Sequence, residues 1–240
     1  MQAVEFFKDD QKLISGSINC RVIIANRDGS STEVFKTIRV GDLKVVEESN
    51  RLYILENAGK RIVCYDLNRV REIFRIEERD SIFSFDFTLD ERYLIINTSF
   101  EYPQIKLFNI EKGSPIKSPK LINIYTGHVQ SRFYIKTSFG GSEQSLVSSG
   151  SEDSKIYIWN RYNRTLLRTL VGHTATVNCI AWSPTNPEIL VSGSDDYTVK
   201  VWSTKECKVN VEVDQDVSLE SEDYEGFEDT EPMNDLSDSY

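Results

Sequence analysis

The stretch from Gly172 to Trp202, GHTATVNCIAWSPTNPEILVSGSDDYTVKVW, brings together His173, Ser192, Asp196 and Trp202. A hydroxyl, an imidazole and a carboxylate are the parts of a nucleophilic triad, in which the base takes the serine proton and the acid orients the base. The same four residue types recur upstream as His128, Ser149, Asp153 and Trp159, and the two Trp stand 43 residues apart. His128 and His173 are the only histidines of the chain; each follows a glycine, Gly127 or Gly172, and each lies 31 or 29 residues before its Trp. A catalytic serine is built beside an oxyanion hole and a path to substrate, whereas a set that returns at constant spacing is a building block. No Gly-x-Ser-x-Gly elbow, His-Glu-x-x-His or Gly-x-x-x-x-Gly-Lys occurs. The sequence therefore predicts a non-catalytic protein with no cofactor, no metal site and no small-molecule substrate. The eight residues are expected to satisfy one another inside the fold. A turn carboxylate would anchor an imidazole N–H, and an indole N–H would donate to a serine oxygen.

The elements that would hold these side chains are short strands. LVSSGSEDSKIYIW, ending at Trp159, aligns without gaps on ILVSGSDDYTVKVW, ending at Trp202. Weaker copies, KLISGSINCRVIIAN, KRIVCYDL and PQIKLFNI, place Ala25, Tyr65 and Phe108 where the Trp would be, so the spacings run 40, 43, 51 and 43. Within each unit β-branched and aromatic residues alternate with a period of two between Gly, Asn, Asp, Ser and Pro signals. The third unit reads as SIFSFDF, RYLIIN, QIKLFN and KLINIY, and the last as VNCIAW, EILVSG, TVKVW and KVNVEV. Five such units predict an all-β chain, with about five four-stranded blades of a β-propeller over residues 1–213. The first unit has no room for a Gly-His before Met1, and rings of this class commonly close with seven blades. The blades are thus expected to be part of a longer ring. In the first unit Ser15 keeps the serine place while Asn19 replaces the turn Asp; Tyr65-Asp66 and Phe108-Asn109 mark the second and third. These three units are expected to hold by apolar packing.

Charge sharpens the functional reading. The formal net charge is −10, but eleven of the 38 acidic residues lie in 214–240, which has no Lys or Arg. The body is left with 28 basic against 27 acidic residues and no basic block, so direct nucleic-acid binding is disfavoured. The acidic segment is too charged and too poor in aliphatics to offset its ordering entropy, which predicts a disordered tail over 214–240. No run approaches the roughly 18 apolar residues of a membrane span. Cys20, Cys64, Cys179 and Cys207 form no Cys-x-x-Cys pair and read as free thiols of a reducing compartment, cytoplasmic or nuclear.

The Gly-His, strand Ser, turn Asp and Trp marks resemble those of the WD-repeat family. From Phe133 to Trp202 the chain is similar, more narrowly, to the WD-repeat subunits of GID/CTLH-type E3 ubiquitin ligases. That narrower likeness rests on SFGG at Ser138–Gly141, SEDSKIYIW at Ser151–Trp159 and GHTATVNC at Gly172–Cys179. The family likeness implies that His128, Ser149, Asp153 and Trp159, and likewise His173, Ser192, Asp196 and Trp202, form hydrogen-bonded blade networks. The narrower one implies a scaffold that binds other ligase subunits and supports assembly or target recruitment for proteasomal degradation, of gluconeogenic enzymes in yeast. Members of that group carry an N-terminal helical LisH and CTLH region, to which no stretch here is similar. Rigid loop platforms bind proteins well, and the turns and strand starts bearing Glu152, Thr176, Asn178 and Asp195 are the expected partner contacts. The alternative is a WD-repeat scaffold of another complex, in chromatin or RNA processing.

Overall fold

A computed structural model describes residues 3–7, 11–17, 19, 21–36, 39–56, 59–99, 102–110, 118–131 and 133–203, with the backbone alone for 32–36. The expected fourth strand of the last unit, Cys20, Cys207 and the acidic segment 214–240 lie outside these residues.

The described chain folds into five antiparallel sheets, each a meander in sequence order. The first holds β1 (Ala3–Phe6), β2 (Lys12–Gly16), β3 (Arg21–Asn26) and β4 (Ser31–Lys36). The second holds β5 (Asp42–Val46), β6 (Arg51–Glu56), β7 (Arg61–Asp66) and β8 (Arg71–Glu77). In the third are β9 (Ser81–Phe87), β10 (Tyr93–Ser99), β11 (Gln104–Asn109) and β12 (Lys120–Tyr125), and in the fourth β13 (Thr137–Gly140), β14 (Leu146–Ser149), β15 (Lys155–Asn160) and β16 (Leu166–Val171). Three described strands make the fifth: β17 (Val177–Trp182), β18 (Ile189–Ser194) and β19 (Val199–Ser203). Neighbouring sheets meet through their first strands, β1 against β5, β9 against β13 and β13 against β17. This all-β architecture is consistent with part of a β-propeller. Among the described residues the helical content is a single 3-10 turn, Ser142–Gln144, and no helix is long and apolar enough to cross a membrane.

Alternation explains which side chains go where. Central strands lie between two packed faces and are apolar on both, as in β6, where all six residues are buried. Outer strands alternate: in β8 Phe74 and Ile76 point inward while Arg71, Glu72, Arg75 and Glu77 face solvent. The core is a set of apolar layers between sheets. The largest joins Tyr53, Leu55, Ile62 and Cys64 of the second sheet to Ile82, Phe85, Leu94 and Ile96 of the third. Each aliphatic side chain fully buried there contributes about 1.5–3 kcal/mol.

The junctions are also stitched by the main chain. Val40 N–H donates to Ser17 O (3.3 Å), Ile82 N–H to Gly59 O (2.5 Å) and Val177 N–H to Ser151 O (3.0 Å). Gly59 sits at φ +82, and a Cβ there would stand 2.9 Å from Ile82 O, so this approach needs glycine. Between the third and fourth sheets side chains take over, since Ser84 Oγ and Asn97 Nδ2 both donate to Ile135 O (2.9 and 3.3 Å).

Candidate functional site

The fifth sheet assembles a closed polar chain. Ser192 stands on the middle strand β18, Trp202 on β19 beside it, Asp196 in the turn between them, and His173 in the connection entering β17. Tyr197 takes φ +64 in that turn. The indole Nε1–H of Trp202 donates to Ser192 Oγ at 2.8 Å, and Ser192 Oγ lies 2.7 Å from His173 Nε2. His173 Nδ1 lies 2.7 Å from Asp196 Oδ2. One tautomer satisfies every link: the serine O–H donates to Nε2, and the Nδ1–H to the carboxylate. Asp196 also accepts from Thr174 N–H (3.0 Å), Thr198 N–H (3.0 Å) and the Thr198 hydroxyl (2.6 Å). Burial works against its charge, yet these donors together with His173 hold the carboxyl well below the usual range. Ser192 is 1% exposed and its oxygen is already engaged. Such a serine has no access to a substrate carbonyl, so the chain of bonds can lock strands but is not arranged for nucleophilic attack.

In the fourth sheet the corresponding residues are not joined, which corrects the expected network of His128, Ser149, Asp153 and Trp159. Asp153 Oδ2 accepts from Lys155 Nζ (2.9 Å) and Tyr157 OH (2.8 Å), while Asp153 Oδ1, Ser149 Oγ and His128 Nδ1 are buried without hydrogen-bond partners. The cause lies in two substitutions between the repeats. Lys155 stands where Thr198 bridges acid and imidazole, Tyr157 stands where Lys200 is, and both donate to the Asp153 carboxylate. His128 Nε2 instead lies 3.4 Å from Asn97 Oδ1 of β10, and its ring meets Trp159 edge-on at 5.8 Å. Burial, opposed only by the charge of Asp153, pushes the His128 pKa down to about 4.

Other blades use other polar groups. In the second sheet the carboxylate of Glu56, fully buried, accepts from Arg61 Nη2 (2.7 Å) and from the Tyr65 hydroxyl (3.1 Å). Tyr65, in the Trp place, thereby keeps a polar anchor as well as its apolar contacts.

The four expected partner contacts lie at one end of the sheets, Glu152 on the β14–β15 connection, Thr176 on β16–β17, Asn178 at the start of β17 and Asp195 on β18–β19, but not as a free cluster. Glu152 Oε1 accepts from Ser131 N–H (2.6 Å) and Phe133 N–H (3.2 Å), and Oε2 from the Ser131 hydroxyl (2.7 Å). It is spent on holding the β12–β13 loop. Asn178 Nδ2 donates to Asp195 Oδ1, and Asp195 N–H to Thr176 O (3.0 Å). Thr176 and Asn178 are half-buried, and Asp195 is exposed.

Family comparison agrees with this blade geometry. The WD domain, G-beta repeat family matches residues 119–160 and 164–203, the stretches that carry β12 to β15 and β16 to β19. The chain carries WD40 repeats. WD40 repeats typically serve as non-catalytic scaffolds. The chain is 36% identical over 201 residues to a WD repeat-containing protein 26 homolog of Arabidopsis thaliana, covering 82% of this chain and 32% of that protein. Over 204 residues it is 31% identical to GID complex subunit 7 of Schizosaccharomyces pombe, covering 82% of this chain and 39% of that protein. A WD repeat-containing protein 26 homolog of Drosophila melanogaster is 31% identical over 201 residues, 83% of this chain and 30% of the relative. The chain thus spans about a third of the length of these curated relatives.

What residue reading missed at this WD40 surface is the pair Phe133 and Tyr134, 47% and 61% exposed. The signal was present as length. From Gly127-His128 to Thr137 the connection is GHVQSRFYIKT, whereas its counterpart in the last WD40 repeat reaches Val177 as GHTATV.

Proposed function

We propose that this chain contributes WD40 blades to a GID/CTLH-type E3 ubiquitin ligase, as a non-catalytic scaffold that binds other ligase subunits and supports target recruitment for degradation. It works without cofactor, in the cytoplasm or nucleus. What supports the reading above all is the similarity, over four-fifths of the chain, to proteins named GID complex subunit 7 and WD repeat-containing protein 26 homolog. The geometry is in keeping with it: the triad-like residues of the fifth sheet are consumed in one another, and rigid sheets present loops at their ends. Thr176, Asn178 and Asp195 would contribute polar contacts from the loop end, and Glu152 would act through the loop it holds.

The test is affinity purification of the tagged protein from its own cells at endogenous level, with the accompanying proteins identified by mass spectrometry. Ligase subunits in stoichiometric amount are expected; their absence from the wild-type preparation would overturn the assignment. A second reading, a WD40 scaffold of a different assembly, is favoured by one observation, 43% identity over 82 residues to a denticleless protein homolog of Gallus gallus. It would replace the first if chromatin or RNA-processing components came down instead.

A further inference from the structure

Arg161 opens the β15–β16 connection and is 9% exposed, yet it forms no ion pair among the described residues. A buried arginine is as a rule matched by an acid, because a desolvated charge without one is costly. Here two rings take that part: the guanidinium carbon lies 4.9 Å from the Tyr93 ring centre and 4.8 Å from that of Tyr162. Ring faces hold a cation without consuming its N–H groups. Of the guanidinium donors, the one engaged among the described residues runs from Nη2 to the Tyr162 hydroxyl (2.9 Å).

The backbone beneath this side chain is fixed on both sides. Arg161 N–H donates to Ser145 O (2.9 Å), and Arg161 O accepts from Tyr125 OH (2.6 Å) and Asn123 Nδ2 (2.8 Å). The β9–β10 connection is tied to the β13–β14 connection by Leu89 N–H donating to Gln144 Oε1 (2.8 Å). Residues of these three connections line one groove of about 910 Å3, which Phe87, Trp182 and Pro184 also line. Arg161 therefore meets the groove with its position set in advance and most of its donors unspent.

The charges around the groove decide what it takes. Lys44 and Asp86 are ion-paired (2.8 Å), and Glu5 on β1 feels Lys44, Asp42 and Lys136. Asp90 is engaged by its own turn, accepting from the Thr88 hydroxyl (2.6 Å) and Arg92 N–H (3.0 Å) with Arg92 Nε at 3.6 Å. It also feels the charge of Arg161, and Arg164 acts together with Arg161 on the Tyr125 hydroxyl. Arg92, Arg161 and Arg164 thus stand against Asp90 and Glu143. The balance is positive, and it stays so with Glu111, Lys112 and Lys117 of the β11–β12 connection, which lie outside the described residues. A guanidinium fork fits a planar carboxylate. Asp90 and Glu143 oppose a phosphate dianion more strongly than a carboxylate.

We infer that Arg161 is the receptor for an Asp or Glu side chain presented by an extended segment of a partner protein, its free N–H groups donating to that carboxylate. Leu89 and Tyr162, 89% and 61% exposed, give apolar cover to the residues on either side of it, which a free small acid would leave bare. The site is independent of which assembly the chain joins.

The experiment follows the Arg161 Nε–H and Tyr162 amide resonances of the full chain by NMR as four probes are added. These are N-acetylglutamate methylamide, its neutral isostere N-acetylglutamine methylamide, N-acetyl-O-phosphoserine methylamide and succinate. A saturable shift with the glutamate probe, at roughly millimolar affinity and absent with the glutamine probe, is expected of one bidentate charged contact. Asp90→Asn, at an exposed position, removes a competing carboxylate and should tighten binding about threefold. Arg161→Lys keeps the charge without the fork and should weaken the response at Tyr162 at least about fivefold, with the melting temperature verifying the fold. Unmoved resonances in the glutamate titration, or equal shifts with the glutamate and glutamine probes, would overturn the site. Unchanged or weaker binding by Asp90→Asn would overturn the placing of the carboxylate at Arg161. Tenfold tighter binding of the phosphoserine probe would overturn the carboxylate and assign a phosphorylated segment, and the same result with succinate would overturn the partner segment and assign a free dicarboxylate.

Discussion

Placing the same substitution at two equivalent positions, Asp196→Asn and Asp153→Asn, separates a closed polar chain from an open one. Asp196 accepts four hydrogen bonds, two on each oxygen. A carboxamide of the same shape keeps one oxygen with its two donors and turns an NH2 toward the other pair, so two charge-assisted bonds are lost and donor faces donor. Hydrogen bonds to charged groups contribute about 1.5–3 kcal/mol each, and Asn can recover part of this by turning. A net cost of about 3 kcal/mol follows, roughly a hundredfold in the unfolding constant. At Asp153 one oxygen accepts both Lys155 and Tyr157, and the other has no partner. Asn can aim its oxygen at the two donors, and the ion pair it loses is partly exposed, at 40% and 25%, so solvent screening leaves it at about 1 kcal/mol or less. Urea unfolding at pH 7, followed by tryptophan fluorescence with m held common, should therefore resolve a difference of about 2 kcal/mol between the variants. Equal midpoints, or a larger loss at Asp153, would refute the distinction between the two blades.

Three further outcomes are expected. Folding holds His128 neutral with its pKa near 4, against about 6.5 for an ordinary histidine, so stability is intact above pH 6.5 and is lost as pH falls toward 4. His128→Gln should flatten that acid limb, worth roughly 3 kcal/mol at most, in melts across the range. Replacing Lys155→Thr together with Tyr157→Phe should release Asp153 toward His128, raise the imidazole pKa in an NMR titration and raise the melting temperature by a few degrees; an unmoved His128 resonance would exclude such an exchange. At Gly140 a Cβ would fall 2.1 Å from the Trp182 ring, so Gly140→Ala should cost about 1–3 kcal/mol and shift the tryptophan emission, and a neutral effect would show that the contact is looser than described.

Strands were the most legible part of the molecule. SIFSFDF became β9, and QIKLFN and KLINIY became β11 and β12 residue for residue, because alternation is written into composition and each strand is bounded by turn formers. The residues of the last repeat could be picked out because their types are rare: there are two His and three Trp in the chain. What was not legible depends on competition. Whether Asp153 turns to an imidazole or to Lys155 and Tyr157 is decided by which donor reaches it at lower cost, and a match of residue types carries no reach. The surroundings of Glu152 were hidden for the same reason. A turn glutamate looks like a free surface charge until a loop inserted elsewhere folds over it and offers three donors. The Phe133–Tyr134 pair would have surfaced from the length of that insertion rather than from any motif.

The main-chain stitches between sheets bear on how such a repeat can change over time. At three of the four junctions the neighbouring blade is held through peptide N–H and C=O groups, which every residue but proline possesses. Glycine at Gly59 aside, a blade's place beside its neighbour is therefore insulated from the identity of its side chains. Tryptophan can become tyrosine, phenylalanine or alanine at the end of a third strand and the next sheet still finds its seat. The fold tolerates individual blades losing their signature, which leaves those blades open to be refitted for contacts of their own.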